Sequence, residues 1–394
     1  MARLLMTGAE EQATAAFPLT TGGISFSTTV FRSGLASFRF VAASNTGYVE
    51  LRTDDGITGQ TNWVGFSLRI TTAPSATTRI AQSFLSTGTP STNGHSIRLT
   101  ASRTLQFWDN VDVAQLGSDS AALDLNTWYR VEWASTWNNG TCSARLNGVE
   151  FASDTSFSDW GYFRFGYGTD AVSLTSGEWH IDDIAINDNT GANQNTWPGD
   201  GKIVHMYVDG AGESAAVTGT FADIDDPAPP DTSTEIELTT NATSAFYTCQ
   251  SAASAGIEAS DTINCVAVGM YWRAETAASA TARVRIESQS GGVKTESAAV
   301  TNALATHSYH DDAIVSPWRK YKLIQHTDPQ AGGAWTPALI DTMQLGFGNS
   351  TDANPDIWCS WLWAAVEFVP AGAAATLPPR PIIVSQAVKR ASSW

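Results

Sequence analysis

An all-β protein, with two antiparallel β-sandwich (jelly-roll-like) domains in tandem and an extended C-terminal arm, is what this 394-residue sequence predicts. Two observations carry that reading. Apolar and polar residues alternate through segment after segment, the period of a strand with one buried face. Fifteen tryptophans are set among Gly, Ser, Thr, Ala and Asn, a mixture that suits short strands, tight turns and wide rings filling the gap between two sheets. The length exceeds one ordinary domain and suits two.

The elements follow in order. In "WVGFSLRI", Val64, Phe66, Leu68 and Ile70 share one face, with Ser67 and Arg69 on the other. "SIRLT", after the turn dipeptide Asn93-Gly94, pairs with "TLQFW" as a hairpin. "WYRVEW" leads to "SARLNGVEF", where Asn147-Gly148 signals a second hairpin. "YFRFGYG" and "WHIDDIAIN" close the first series, and "GAEEQATAAF" has room for a turn or two of helix at most. This places the first sandwich at residues 1–198, ending in "DNTGANQNTWPGDG", whose Asn, Gly and Pro break regular structure.

The second sandwich, residues 199–370, opens with "KIVHMYVDG". In it Ala282, Val284 and Ile286 alternate with Arg283, Arg285 and Glu287, and the prolines of "FADIDDPAPPD" make that stretch a loop. "WCSWLWAAVEFV" is apolar on both faces, Trp361 and Trp363 against Leu362, Ala364 and Val366. Such a strand is covered on both sides, by its own domain or by another subunit. After Pro370, "AGAAATLPPRP" reads as polyproline-like chain. Residues 371–394 then present Ile382, Ile383, Val384, Lys389, Arg390 and Trp394, an apolar and basic peptide read as a docking arm.

Hydrophobic content of 42% and charged content of 15% describe a packed chain. Twenty-two Lys and Arg against 39 Asp and Glu give a net charge of −17, a field that repels phosphate backbones and argues against direct nucleic-acid binding. No segment approaches the roughly 18 apolar residues of a membrane span, and "MARLLMTGAEEQ" is too short in apolar character for a signal peptide, so membrane insertion and export are not expected. The four cysteines lack CxxC spacing. Cys249 and Cys265 leave a disulfide open, with buried thiols the preferred reading.

The chemistry-bearing stretches are few. "GEWHIDDIAINDNTG" sets Asp182 and Asp183 side by side in a strand, where neighbours point to opposite faces and a buried carboxylate needs a partner. A β-bulge answers this, turning Ile181, Ile184 and Ile186 inward while a carboxylate accepts hydrogen bonds. "HSYHDD" gathers His307, His310, Asp311 and Asp312, read as a polar loop in preference to a zinc site. Trp137, Asn138 and Asn139 in "STWNNG" sit at a loop tip, as a weak sugar platform or with Trp137 packed on a neighbouring loop. Glu235 and Glu237 in "TEIELTT" lack the third carboxylate of a glucanase strand, and there is no Gly-x-Ser-x-Gly elbow or His-Glu-x-x-His. No catalytic residues are assigned, and no enzyme activity is expected.

"FRSGLASFRF", "NTWYRVEW", "SARLNGVEF", "FRFG" and "IDDIAIND", in that order, resemble the strands of laminin-G-like (concanavalin A-like) jelly rolls over roughly residues 1–195. The resemblance implies calcium as the one candidate cofactor, bound at Asp182 or Asp183 with help from Asp170, Asn187 and Asp188, six to eight oxygens being needed. The whole chain, with "RLLMTGAEE", "IDDIAINDNTG", a Trp-Pro-Gly-Asp-Gly joint and "AWTPALIDTMQLGF", is similar to virion structural proteins of tailed bacteriophages. That similarity implies a tail, baseplate or capsid-surface protein made in the host cytoplasm and resident in the virion. Its implied partners are other virion proteins, copies of itself and host-surface glycan. A free carbohydrate-binding module or cell-surface adhesin is the alternative.

Overall fold

Val64, Phe66, Leu68 and Ile70 are each at most 2% exposed, and this row lines the inner face of the first sandwich. The computed structural model describes residues 3–12, 19–21, 24–42, 47–53, 60–84, 94–110, 113–138, 140–156, 160–167, 174–214, 217–226, 232–238, 244–274, 280–302, 308–309, 323–349 and 356–372. The fold is all-β as expected, and every strand pairing among these residues is antiparallel.

The eight-stranded sheet of the first sandwich runs β13 (Val149–Ser156), β12 (Gly140–Leu146), β11 (Trp128–Thr136), β6 (Thr61–Thr72), β15 (Glu178–Asp188), β4 (Ser37–Val41) and β3 (Ile24–Ser27), with β1 (Arg3–Thr7) also on β15. The seven-stranded sheet runs β10 (Ala114–Leu116), β9 (Leu105–Asp109), β8 (His95–Leu99), β7 (Thr78–Phe84), β14 (Tyr162–Gly166), β5 (Tyr48–Arg52) and β2 (Leu19–Thr21). Between them Phe66, Trp133 and Phe165 pack ring to ring, with centroids 5.5 to 6.2 Å apart. Asn147 and Gly148 both take positive φ, 49° and 77°, and close the two-residue turn from β12 to β13 that the sequence signals. The hairpin of "SIRLT" and "TLQFW" is β8 on β9.

In the second sandwich one strand serves both layers. β16 (Lys202–Ser214) pairs first with β27 (Ile357–Val369), from Lys202 opposite Phe368 to Tyr207 opposite Trp363, and then with β19 (Ser244–Cys249). Around it the order is β17 (Val217–Thr218), β18 (Ile236–Leu238), β27, β16, β19, β26 (Gln344–Asn349), β21 (Ala280–Glu287) and β22 (Lys294–Glu296). β20 (Thr262–Ala274) takes the other edge of β27 and carries β24 (Ser308–Tyr309) and β25 (Leu323–Gln325), while β23 (Val300–Asn302) joins β21. Helix among the described residues amounts to a 3-10 turn, Phe221–Asp223, and α1 (Pro337–Ile340), which Thr336 caps and Pro337 starts.

The chain itself covers both faces of the tryptophan strand. Trp361, Trp363 and Ala365 belong to the core that also holds Met6, Tyr207 and Cys265. Leu362, Ala364 and Val366 belong to the core of the second sandwich. All four cysteines are free and buried, so Cys249 and Cys265 form no disulfide. The docking-arm residues Ile382, Ile383, Val384, Lys389, Arg390 and Trp394 lie outside the described residues.

Candidate functional site

The acidic pair is built as a bulge. Asp182 stays in register with Ser67, the register then slips to Ala185 opposite Gly65, and Asp183 takes φ 49°. The extra residue lets Ile181, Ile184 and Ile186 all reach zero exposure in the core. Both carboxylates turn instead to the joint between the sandwiches. Asp182 Oδ2 accepts the Arg32 N–H at 2.7 Å and the Ser33 N–H at 3.4 Å. Asp183 accepts the Ile203 N–H at 2.8 Å, an Arg32 guanidinium N–H at 2.7 Å and the Ser33 hydroxyl. Arg32 continues across to the Gly201 carbonyl, at 2.7 Å, and to Asp200, at 2.5 Å.

The joint has other buried charges. Arg3, fully buried, meets Glu367 at 2.6 Å, and the His205 ring lies 3.6 Å from Glu11. Glu10 is also fully buried and accepts the Leu35 N–H at 2.6 Å. Burial pushes its carboxyl well above the usual range; the Leu35 amide opposes this, and the negative Glu11 and Asp183 add to it. Asp182 is likewise raised by burial, then by Asp183 and Glu10. Burial lowers the Arg32 guanidinium, but Asp183 and Asp200 hold it above its ordinary value.

Calcium does not suit this donor set. The Asp183 oxygens already face a guanidinium, a hydroxyl and an amide, and a cation there would sit against Arg32. The Asn187 side chain donates to the Thr196 carbonyl, and Asp188 accepts from Thr190 and Gln60. Asp170 lies outside the described residues. No group of three or more His, Cys, Asp or Glu able to hold a metal occurs among the described residues. Trp137 is half-buried and packs edge-on against Trp160, centroids 6.0 Å apart, while Asn138 is exposed at φ 59°. Asn139, His307, His310, Asp311 and Asp312 lie outside the described residues, and Glu235 pairs with Arg273.

A second polar surface emerges only from the strand register. Across the outer face of the seven-stranded sheet, Glu50, Arg164, Gln82, Ser96, Trp108 and Gln115 stand opposite one another in turn, one from each of six successive strands. Arg52, Tyr162 and Phe84 form the next row, and Arg79, Arg98 and Gln106 another. Glu50 holds Arg52 at 2.8 Å and Arg164 at 2.7 Å. The guanidinium groups lie over rings: Arg164 is 4.2 Å from the Tyr48 centroid, Arg52 4.4 Å from Tyr162, and Arg98 3.9 Å from Trp108. Gln82 Oε1 accepts from Arg79, and Asn110 Oδ1 accepts from the Ser96 hydroxyl. The amide nitrogens of Gln82 and Asn110, in side chains 1% exposed, have no hydrogen-bond partner. Sequence reading missed this surface, as it missed Glu10, Glu11 and Arg32 at the joint. The available signal was the polar position in every second place of β5, β7, β8, β9 and β14, which by itself says only "outward".

No protein-family model matches the chain, and no curated protein matches it. Among solved structures it is similar to the binding domain of botulinum neurotoxin serotype D, at 13% identity over 47% of this chain and 47% of that one, with a TM-score of 0.32. It is similar to the alginate lyase from Corynebacterium sp. at 17% identity, 41% of this chain, 80% of that one and a TM-score of 0.32. For Trypanosoma rangeli sialidase the values are 11%, 49%, 31% and 0.33. The chain thus spans less than half the length of the first and third of these, and none of the likenesses assigns it to a family.

Proposed function

We propose that this chain is a non-catalytic structural protein of a tailed-phage particle, a stiff double sandwich held by copies of itself and by other virion proteins, with its first sandwich touching host-surface glycan. The observation that carries the reading is the joint. Asp183, Arg32, Arg3 and Glu367 spend buried charge on fixing one sandwich against the other, which suits a load-transmitting body rather than two swivelling modules. The resemblance of its ordered motifs to those of virion proteins supports the location. Acidic net charge keeps such a protein from nonspecific aggregation before assembly.

Mass spectrometry of density-purified particles from the culture that makes the protein tests this. The expected result is a fixed ratio of this chain to the major capsid protein, and recovery in the particle-free supernatant alone would overturn it. Deleting residues 371–394 is expected to leave a folded protein that no longer incorporates; unchanged incorporation removes the docking role from that segment.

A second reading, a free carbohydrate-binding module, is favoured by the rings and amides on the outer face of the seven-stranded sheet. Glycan affinity in a monomer that never co-sediments with particles is the outcome that selects it.

A further inference from the structure

We propose that residues 382–390 of one copy of this chain add as a further strand to the free edge of β13 in a second copy, linking the two molecules sheet to strand. The proposal rests on the part of the proposed function in which copies hold one another, and it names the surface and the segment that do so.

The edge is the first argument. A strand at the end of a sheet presents unpaired N–H and C=O groups and accepts another chain unless shortness, charge or cover prevents it. Among the described residues, most strands paired on one side only are two to four residues long. The exceptions are β1, whose five residues are all buried, and β13, which runs for eight. β13 is open along its length: Val149, Glu150, Ser153, Asp154 and Thr155 are exposed. The Thr155 N–H donates to the carboxylate of the preceding Asp154, at 2.7 Å, where a carbonyl of an added strand can take its place.

Charge decides what this edge accepts. Its charged residues are Glu150 and Asp154, and Arg145, opposite Glu150 on β12, lies over the Trp197 ring at 3.8 Å. Two such acidic edges repel each other, which bars β13 from pairing with itself. A basic strand is attracted to the same place. In a chain of net charge −17, residues 373–394 carry Arg380, Lys389 and Arg390 and no Asp or Glu.

The sequence of that segment matches the edge in length and kind. Pro378, Pro379 and Pro381 cannot donate to a ladder, so the run able to pair begins at Ile382 and reaches Arg390, free of proline and glycine. Ile382, Ile383, Val384 and Val388 are β-branched, the residue type that favours a strand. Main-chain bonds to an edge supply affinity, and the flanking charges supply selectivity. The stretch from 373 to 381 spans at most about 30 Å, sufficient to carry the run to a molecule packed alongside. Each copy offers one segment and one edge, so the contact is heterologous and builds rings or filaments.

Sedimentation velocity of the purified full chain, from about 1 to 100 µM, tests the proposal. Dimers and larger species that grow with concentration and weaken as NaCl rises are expected, with slowed amide exchange over residues 149–156 in the associated form. Glu150→Lys with Asp154→Lys, and separately Lys389→Glu with Arg390→Glu, should each weaken association at least about tenfold. Mixing the two variants should restore it, because the reversed segment of one fits the reversed edge of the other. A monomer at every concentration, association that survives deletion of residues 371–394, or no restoration between two folded variants overturns the proposal. Protection of 149–156 that is independent of concentration and vanishes with residues 371–394 places the segment on its own chain and overturns the link between copies. Where the edge variant does not fold, Val384→Pro decides, since it lies outside both sandwiches; unchanged association then overturns the proposal. These measurements use purified protein, so their failure leaves the presence of the chain in particles to the mass spectrometry described above.

Discussion

Asp183 joins two separate economies of the molecule: the bulge that turns three isoleucines inward, and the joint that receives Ile203 and Arg32. Asp183→Ala leaves the partly buried Arg32 guanidinium with Asp200 as its one remaining acid partner and removes the acceptor of the Ile203 N–H, an expected loss of about 1–3 kcal/mol in chemical denaturation. Asp183→Asn, which keeps an oxygen and tolerates positive φ, should cost clearly less than the alanine variant. The bulge was legible from "IDDIAIND" because three inward isoleucines and two adjacent carboxylates fit no regular strand. Glu10 and Glu11 were not, since nothing in "GAEEQ" says that a second sandwich will close over it. His95 gives a pH prediction. Its ring bridges Ser135 and Ser156 at 2.7 and 2.6 Å, and burial pushes its pKa from 6.5 down to about 3. The unfolded chain therefore binds the proton more readily between those values. The contribution is fully present above pH 6.5 and lost as pH falls toward 3, by about 2 kcal/mol at pH 5. From pH 7 to 5 the melting temperature of His95→Gln should therefore rise relative to that of the parent. His180 and His326, both lowered to about 4 chiefly by burial, act in the same sense as His95 in both proteins, and the raised carboxyls of Glu10 and Asp182 act in the opposite sense.

Alternation identifies strands well, because one buried face repeats every second residue, and "ARVRIE" in β21 is an example: its alternate residues from Ala282 to Ile286 are fully buried. Pairing is harder to read. Nothing in "KIVHMYVDGAGES" marks where β16 leaves β27 for β19, since that change depends on which edges are free once other strands have docked. The two-faced apolar strand told that cover was needed without saying whose. β20 shows how tightly the cover is made. Gly269 lies opposite Trp363, and a β-carbon added there would sit 2.3 Å from the indole. Gly269→Ala is accordingly expected to cost about 1–3 kcal/mol by overpacking, read as a lower denaturation midpoint at unchanged slope.

For the whole molecule, the boundary between the sandwiches is crossed by the charge pairs Arg3–Glu367 and Arg32–Asp200 and by a core shared between Met6 and Trp361. Scanning calorimetry of the full chain should give a single cooperative transition, and two separated endotherms would refute that coupling. Residues 1–198 expressed alone would leave Arg3 and Glu11 without Glu367 and His205, so a lower melting temperature than the full chain is expected. The all-β class was legible in the sequence; the fusion across the joint was not, because each fusing residue reads locally as an ordinary strand or loop position. The interlock also sets an order of events at the ribosome. Met6 touches Cys265 across 259 positions of sequence, and Arg3 finds its acid only on the last strand. At about 5–20 residues per second, the opening strand waits on the order of tens of seconds for the surface it will rest on. The joint thus closes only once β27 has emerged from the ribosome, so the strand made early is seated by one made late.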